Sequence, residues 1–314
     1  MAPFIALIWS LDLAISYFLS TSHDYPGEFE VMNDIYSGKA NCDVAIYGSS
    51  RAWVNFNTKI IEDSLKVHAY NFGIDGHNFW LQYLRHLEFT KYNQKPKEII
   101  LAVDIFTLEK RKDLYNESQF LPYMLWNKNI WKYTSSYIGF DQIDYLIPLV
   151  RYRGKFSALR TAFKNISMRG KVKTYRYKGF AGMNRSWNSD YDEAKATKGT
   201  YTAKIDEQTV LLFEKFVQEC KESGIKLILV YTPEFIEGQG FVTNKSEIIR
   251  IYREFSLKYN IPFWDYSNDK ICFDKQLFYN TTHLNKEGAN LFTSELVSKL
   301  KKENALDSLF FAHQ

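Results

Sequence analysis

Asp43-Val44-Ala45-Ile46-Tyr47-Gly48-Ser49-Ser50-Arg51 is the stretch that decides how this chain reads. Val44 to Tyr47 are apolar without polar alternation, as expected of a strand buried on both faces of a parallel sheet. Gly-Ser-Ser then makes a tight turn that presents a hydroxyl. Open α/β sheets bind ligands at the C-terminal ends of their strands, which makes Ser50 a candidate nucleophile. The alternative is a plain strand followed by a serine helix cap, since serine is a common starter of helices.

Three further stretches bear on that choice. Asn71-Phe72-Gly73-Ile74-Asp75-Gly76 follows a second apolar run, Val67 to Phe72. Glu98-Ile99-Ile100-Leu101-Ala102-Val103-Asp104 reads as a third strand ending in a carboxylate, and Asn280-Thr281-Thr282-His283-Leu284-Asn285 precedes the last helical pattern. In this order and spacing the four stretches resemble the four blocks of the SGNH (GDSL-like) hydrolase superfamily. The likeness is to its membrane-anchored, cell-envelope branch, which includes D-alanine transfer proteins of teichoic acid synthesis and polysaccharide O-acetyltransferase-like proteins. It covers about residues 41–104 and 225–300.

The resemblance implies a serine esterase or acyltransferase site without a cofactor. Ser50 takes the nucleophile position and His283 the base. The oxyanion hole would draw on the Ser50 and Gly76 N–H groups and on position 104. Two positions depart from the pattern: Asp104 stands where an Asn is expected, and Asn280 stands where an Asp should orient the histidine. A neutral amide can hold the imidazole through its oxygen but cannot offset the positive charge that forms on it. In the serine-protease precedent an Asp→Asn change costs about 10⁴ in turnover through the wrong tautomer. A catalytically silent binding or assembly factor for envelope polysaccharide synthesis is therefore the competing reading. Of the other histidines, His23 and His313 lie near the termini, His68 in a strand and His86 in a helix. His77, beside the oxyanion loop, is read with Arg51 as a substrate contact.

Around these blocks, apolar periodicity predicts strands at 43–47, 67–72, 98–104, 225–231 and 261–264. Helices are expected after Ser50 (carrying Ile60, Ile61 and Leu65) and at 79–92, 207–222, 246–258 and 286–301. Strands alternating with helices make a parallel sheet covered on both faces, a flavodoxin-like three-layer α/β/α domain over 21–314. The alternation stops between about 106 and 205, marking an insertion rich in aromatic residues. With 46% hydrophobic residues among 314, there is ample material for a large core.

From Tyr145 to Ser189 the chain carries 11 Lys and Arg and no carboxylate, against a net charge of +4 overall, so the remainder is acidic. Such asymmetry points to a partner. An anionic polysaccharide, a lipid-linked envelope polymer or phospholipid headgroups would suit it, with Arg151 and Arg153 as contacts. A solvated basic face is the plain alternative. No nucleic-acid module is legible, and no nucleic-acid partner is expected.

Residues 2–19 form an apolar run whose only charge is Asp12. As a helix they would span roughly 27 Å, close to a bilayer's hydrocarbon core. An uncleaved anchor over residues 1–20 fits, with the rest of the chain outside the cytoplasmic membrane of a bacterium. The alternative is a buried helix, because Asp12 in lipid is costly and no Lys or Arg precedes the run. The resemblance adds a membrane acyltransferase as partner. Cys42, Cys220 and Cys272 lack metal or disulfide spacing, and no nucleotide or zinc motif is present, so no metal is expected.

Overall fold

The computed structural model describes residues 2–23, 28–76, 78–168 and 175–311. In chain order its helices and strands are α1 (Ala2–Ser20), α2 (Phe29–Tyr36), β1 (Val44–Gly48), α3 (Ser50–Asn55), α4 (Thr58–Leu65), β2 (Ala69–Asn71), α5 (Phe79–Tyr92), β3 (Glu98–Val103), α6 (Lys128–Thr134) and α7 (Phe156–Met168). They continue with α8 (Asp190–Lys198), α9 (Glu207–Glu222), β4 (Lys226–Tyr231), α10 (Lys245–Tyr259), β5 (Phe263–Asp265), β6 (Phe278–Asn280), β7 (His283–Leu284) and α11 (Lys286–Phe311). The chain separates into two compact units, one of residues 1–41, 75–94 and 110–175, the other of 42–74, 95–109 and 176–314. Residues 110–175 of the insertion belong to the first unit, and the remainder belongs to the second.

The second unit is built on a five-stranded sheet in the order β2-β1-β3-β4-β5, every pairing parallel. That is the flavodoxin-like order, in which the chain reverses direction across the sheet between β1 and β3 and opens a crevice at their C-terminal ends. Alternate residues serve opposite faces. Val44, Ile46, Ile100, Ala102, Ile228 and Val230 pack with Phe56 of the α3–α4 junction, Ile61 of α4, and Phe292 and Leu296 of α11. On the opposite face Tyr47 meets Phe216 of α9, while Phe213 of α9 packs on Tyr252 and Phe255 of α10. Helices thus cover both faces of the sheet, giving the three-layer α/β/α architecture.

Where one helix was expected after Ser50, there are two. Phe56 leaves the helical region (φ −110°, ψ 103°) and buries its ring edge-on against Phe292. Asn57 then caps α4, its side-chain oxygen accepting from the Lys59 N–H at 3.0 Å. Burial of an aromatic ring outweighs continuation of a short helix, whose stability comes mostly from packing.

In the first unit, α1 packs against α7. Asp12 is buried there: Oδ1 accepts from the Leu149 N–H and Oδ2 from the Arg151 guanidinium, each at 2.7 Å. Arg151 also donates to the Leu121 carbonyl at 2.7 Å. The isolated carboxylate in the apolar run is thereby neutralised within the protein. Phe4, Ile5, Leu7, Leu11, Leu13 and Tyr17 point outward, and the span Pro3–Ser20 is long and apolar enough to cross a membrane, with only 11% of it buried.

Candidate active site

Gly48 ends β1 with φ +138°, and a Cβ there would stand 2.6 Å from the Ala102 carbonyl oxygen of β3, so the turn that delivers Ser50 admits only glycine. Ser49 is the N-cap of α3: its hydroxyl oxygen accepts from the Arg51 N–H at 3.3 Å. The hydroxyl itself donates to Asp104 Oδ2 at 2.5 Å. Ser50 follows as the first residue of α3, where no i−4 carbonyl is available to its N–H.

His283 arrives from the other end of the chain. Asn280-Thr281-Thr282-His283 folds as a tight hairpin in which Asn280 of β6 pairs with His283 of β7. The imidazole Nε2 lies 2.7 Å from the Ser50 hydroxyl, across 233 residues of sequence. Asn55 sets that approach. Its Oδ1 accepts from the Leu284 N–H at 3.1 Å, which ties the hairpin carrying His283 to the C-terminal end of the helix that Ser50 begins.

The proton arrangement on the imidazole follows from its neighbours. Asn280 Oδ1 accepts from the Thr282 N–H at 3.1 Å and the His283 N–H at 3.0 Å, so the atom in that position must be the amide oxygen. The same oxygen lies 2.9 Å from His283 Nδ1, which must then carry the hydrogen. Thr282 Oγ1, at 3.0 Å from Nδ1, is a second acceptor for it. Nε2 is left with a lone pair facing Ser50, the tautomer a general base needs. The usual penalty for Asn at this position, the wrong tautomer, does not arise. The amide's other end is held as well, for Nδ2 donates to Asp190 Oδ2 at 3.2 Å, at the start of α8.

Electrostatics keep the imidazole neutral. Desolvation is the largest influence and the nearby Arg51 guanidinium adds to it, so that the His283 pKa is pushed down to about 4 despite opposing pulls from Asp190 and Glu234. Arg51 itself is buried. Nη1 meets Glu234 at 2.6 Å, Nε donates to Thr232 Oγ1 at 2.9 Å, and the guanidinium lies 4.7 Å over the Tyr231 ring. Burial alone would raise the Glu234 carboxyl, but Arg51 and then Lys245, at 2.7 Å, hold it below the usual range.

Several expected site residues are placed differently. Arg51 is no substrate contact, because its donors turn inward to Glu234 and Thr232. Asp104 does not offer a donor to an oxyanion. Its Oδ2 accepts from Ser49, and its Oδ1 accepts from the Phe106 N–H at 2.7 Å and the Thr107 hydroxyl at 3.2 Å. A carboxylate has only acceptors to give. Arg151 is enclosed with Asp12 and unavailable to a polymer, whereas Arg153 is exposed near Asp141 at 3.7 Å. Gly76 belongs to the first unit, in a left-handed turn (φ +71°) whose carbonyl accepts from Arg111. His77 lies outside the described residues.

Asn55, Asp190, Thr282 and Glu234 escaped the sequence reading. Asp190, at the first position of a helix behind Ser189, carries a local mark of helix initiation and none of a site. Cys42, Cys220 and Cys272 are buried free thiols, each raised by desolvation.

No protein-family model and no curated protein matches the chain. Among solved structures, an acetyl xylan esterase aligns at 13% identity and a TM-score of 0.43, covering 82% of this chain and 98% of that one. A proposed acylhydrolase of Bacteroides fragilis aligns at 12% identity and 0.37, covering 82% and 86%.

Proposed function

We propose that the protein is a serine-dependent O-acyl esterase or acyltransferase acting on an O-acylated glycan of the cell envelope, tethered to the membrane by α1. The observation that carries this reading is the 2.7 Å contact between Ser50 Oγ and His283 Nε2, with Nδ1–H held by an oxygen of fixed identity. Acyl transfer through serine requires a hydroxyl, a base within hydrogen-bond reach and a group that orients the base. In the first step His283 takes the Ser50 proton as Oγ attacks the acyl carbon. The ester C–O bond then breaks, and His283 returns the proton to the departing sugar oxygen. Water, or the hydroxyl of an acceptor, attacks the acyl-Ser50 ester in the same way and restores Ser50.

The resemblance of the four sequence blocks to SGNH hydrolases supports the same chemistry, and its membrane-anchored branch supports the envelope setting. An imidazole with a pKa near 4 whose Nδ1 partner is an amide instead of a carboxylate is a modest base, so turnover should be slow rather than absent. The test is labelling of the full chain by a fluorophosphonate, followed by peptide mass mapping. Adduct on Ser50, lost in His283→Ala, is the expected result. No adduct at Ser50 would leave the catalytically silent binding factor as the reading.

A further inference from the structure

Arg185, Lys275 and Lys286 meet along one side of an open cleft of about 750 Å³, which Trp187, Gln276 and Asn285 also line. The volume is that of a small-molecule or sugar site. Its wall is held in place before any ligand arrives. The Lys286 N–H donates to the Met183 carbonyl and the Asn188 N–H to the Tyr279 carbonyl, both at 2.9 Å, so the segment 183–188 is fastened at its two ends. Trp187 packs edge-on against Phe235 at 5.1 Å, and Lys275 rests 4.4 Å over the indole.

Charge is what distinguishes the cleft. Elsewhere in the basic stretch, Arg151, Lys155 and Lys178 are paired with Asp12, Glu117 and Glu62, and Arg176 lies over the Trp53 ring. Arg169, Lys171 and Lys173 fall outside the described residues. Among the described residues no carboxylate pairs with Arg185, Lys275 or Lys286, and Glu287 is the one acidic side chain on the cleft wall. The cleft also adjoins the proposed chemistry. Arg185 lies 5.7 Å over the Tyr279 ring, and that ring stacks on the His283 imidazole at 5.3 Å and 12°.

From this arrangement we infer that the cleft is the subsite for an anionic saccharide, whose carboxylate or phosphate groups are gripped by Arg185, Lys275 and Lys286 while its acyl ester is presented to Ser50. The inference rests on the acyl-transfer reading for its purpose but not for its test. Cations focused on one concave wall raise the local concentration of a polyanion and fix its register. The side-chain amide of Gln276 supplies a partner for sugar hydroxyls, whereas that of Asn285 is engaged in the wall itself, donating to the Gln276 carbonyl at 2.6 Å and accepting from the Gly288 N–H at 3.0 Å. Arg151 and Arg153, the contacts expected from sequence, have no part in it.

Calorimetric titration of the full chain in detergent tests this without requiring turnover, using unacylated oligogalacturonate, an oligomer of glycerol phosphate, and neutral xylo-oligosaccharide. At low salt one or both anionic ligands should bind, quenching Trp187 fluorescence, and the neutral one should not. Galacturonate alone would assign the anion as a carboxylate, and glycerol phosphate alone as a phosphate. Combining Arg185→Gln, Lys275→Gln and Lys286→Gln should weaken the preferred ligand on the order of tenfold, the sum expected of three exposed charge contacts. Raising salt on the unaltered protein should do the same, which guards against a variant that folds badly. Binding of neither anion, equal binding of the neutral oligomer, or an affinity indifferent to both salt and the three substitutions would overturn the assignment. Failure of fluorophosphonate to label Ser50 would remove the acyl chemistry and leave this result standing.

Discussion

Replacing Asn280 by Asp gives the histidine the carboxylate that SGNH hydrolases place three residues before it, and the structure says what that change should do. Position 280 already directs an oxygen at Nδ1–H, so the substitution alters charge and leaves the tautomer as it is. The gain is therefore purely electrostatic. A carboxylate beside the imidazolium that forms during attack should stabilise it by about 1–2 kcal/mol at a partly solvated site, or roughly tenfold in kcat. The loss comes from Asp190, whose Oδ2 now accepts from Asn280 Nδ2 at 3.2 Å and would face a second carboxylate. Because Asp190 is exposed, that repulsion should approach the aqueous limit of about 1 kcal/mol and cancel much of the gain. Asn280→Asp alone should thus raise kcat severalfold at most, and Asn280→Asp with Asp190→Asn should raise it by about tenfold. In both, the acid limb of the kcat/KM profile should move upward from about pH 4, since a base whose protonated form is stabilised loses its activity at higher pH. The assay is hydrolysis of a small neutral acetate ester from pH 3 to 8. An acid limb that stays in place in both variants would refute the assignment of Asn280 as the partner of Nδ1.

Ser50→Ala and His283→Ala should each reduce that esterase activity to a small residual background, with the two losses far from additive in the double variant. Asp12→Ala should destabilise the first unit by about 3–5 kcal/mol, because the enclosed Arg151 guanidinium loses its partner; thermal unfolding in detergent would show it, and an unchanged midpoint would mean that α1 leaves Arg151 in solution. Gly48→Ala should cost about 2–4 kcal/mol or prevent folding, as the new methyl would lie within contact distance of the Ala102 carbonyl in an unfavourable backbone region. Far-ultraviolet circular dichroism and yield of folded protein report the outcome, and near-normal stability would show that the β1 turn can relax.

Much of the second unit was legible in the sequence because its signals are local. Strands buried on both faces announce themselves as unbroken apolar runs, and all five predicted strands lie within a few residues of β1 to β5. Gly48 marks a turn where backbone geometry dictates the residue type, and the two serines after it, like Asn and His three apart before the last helix, stand out as short local patterns. The break at Phe56 was not legible, because it depends on Phe292, far away in the chain.

What only tertiary structure decided were the destinations of charge. Nothing in the neighbourhood of Arg51 or Arg151 says that each turns inward, and their partners Glu234 and Asp12 lie 183 and 139 residues away. Asp190 meets Asn280 across 90 residues, and without that contact the amide's orientation rests on one end only. A run of cations reads as one surface in sequence, yet its members are divided between two units, Arg151, Lys155 and Lys178 being paired with carboxylates in place, while Arg185 joins Lys275 and Lys286 from the far end of the chain. Apolar periodicity is read over a few residues because burial is a property of a face. A charge is satisfied by whichever group the fold brings within a few ångströms, and sequence carries no measure of that distance.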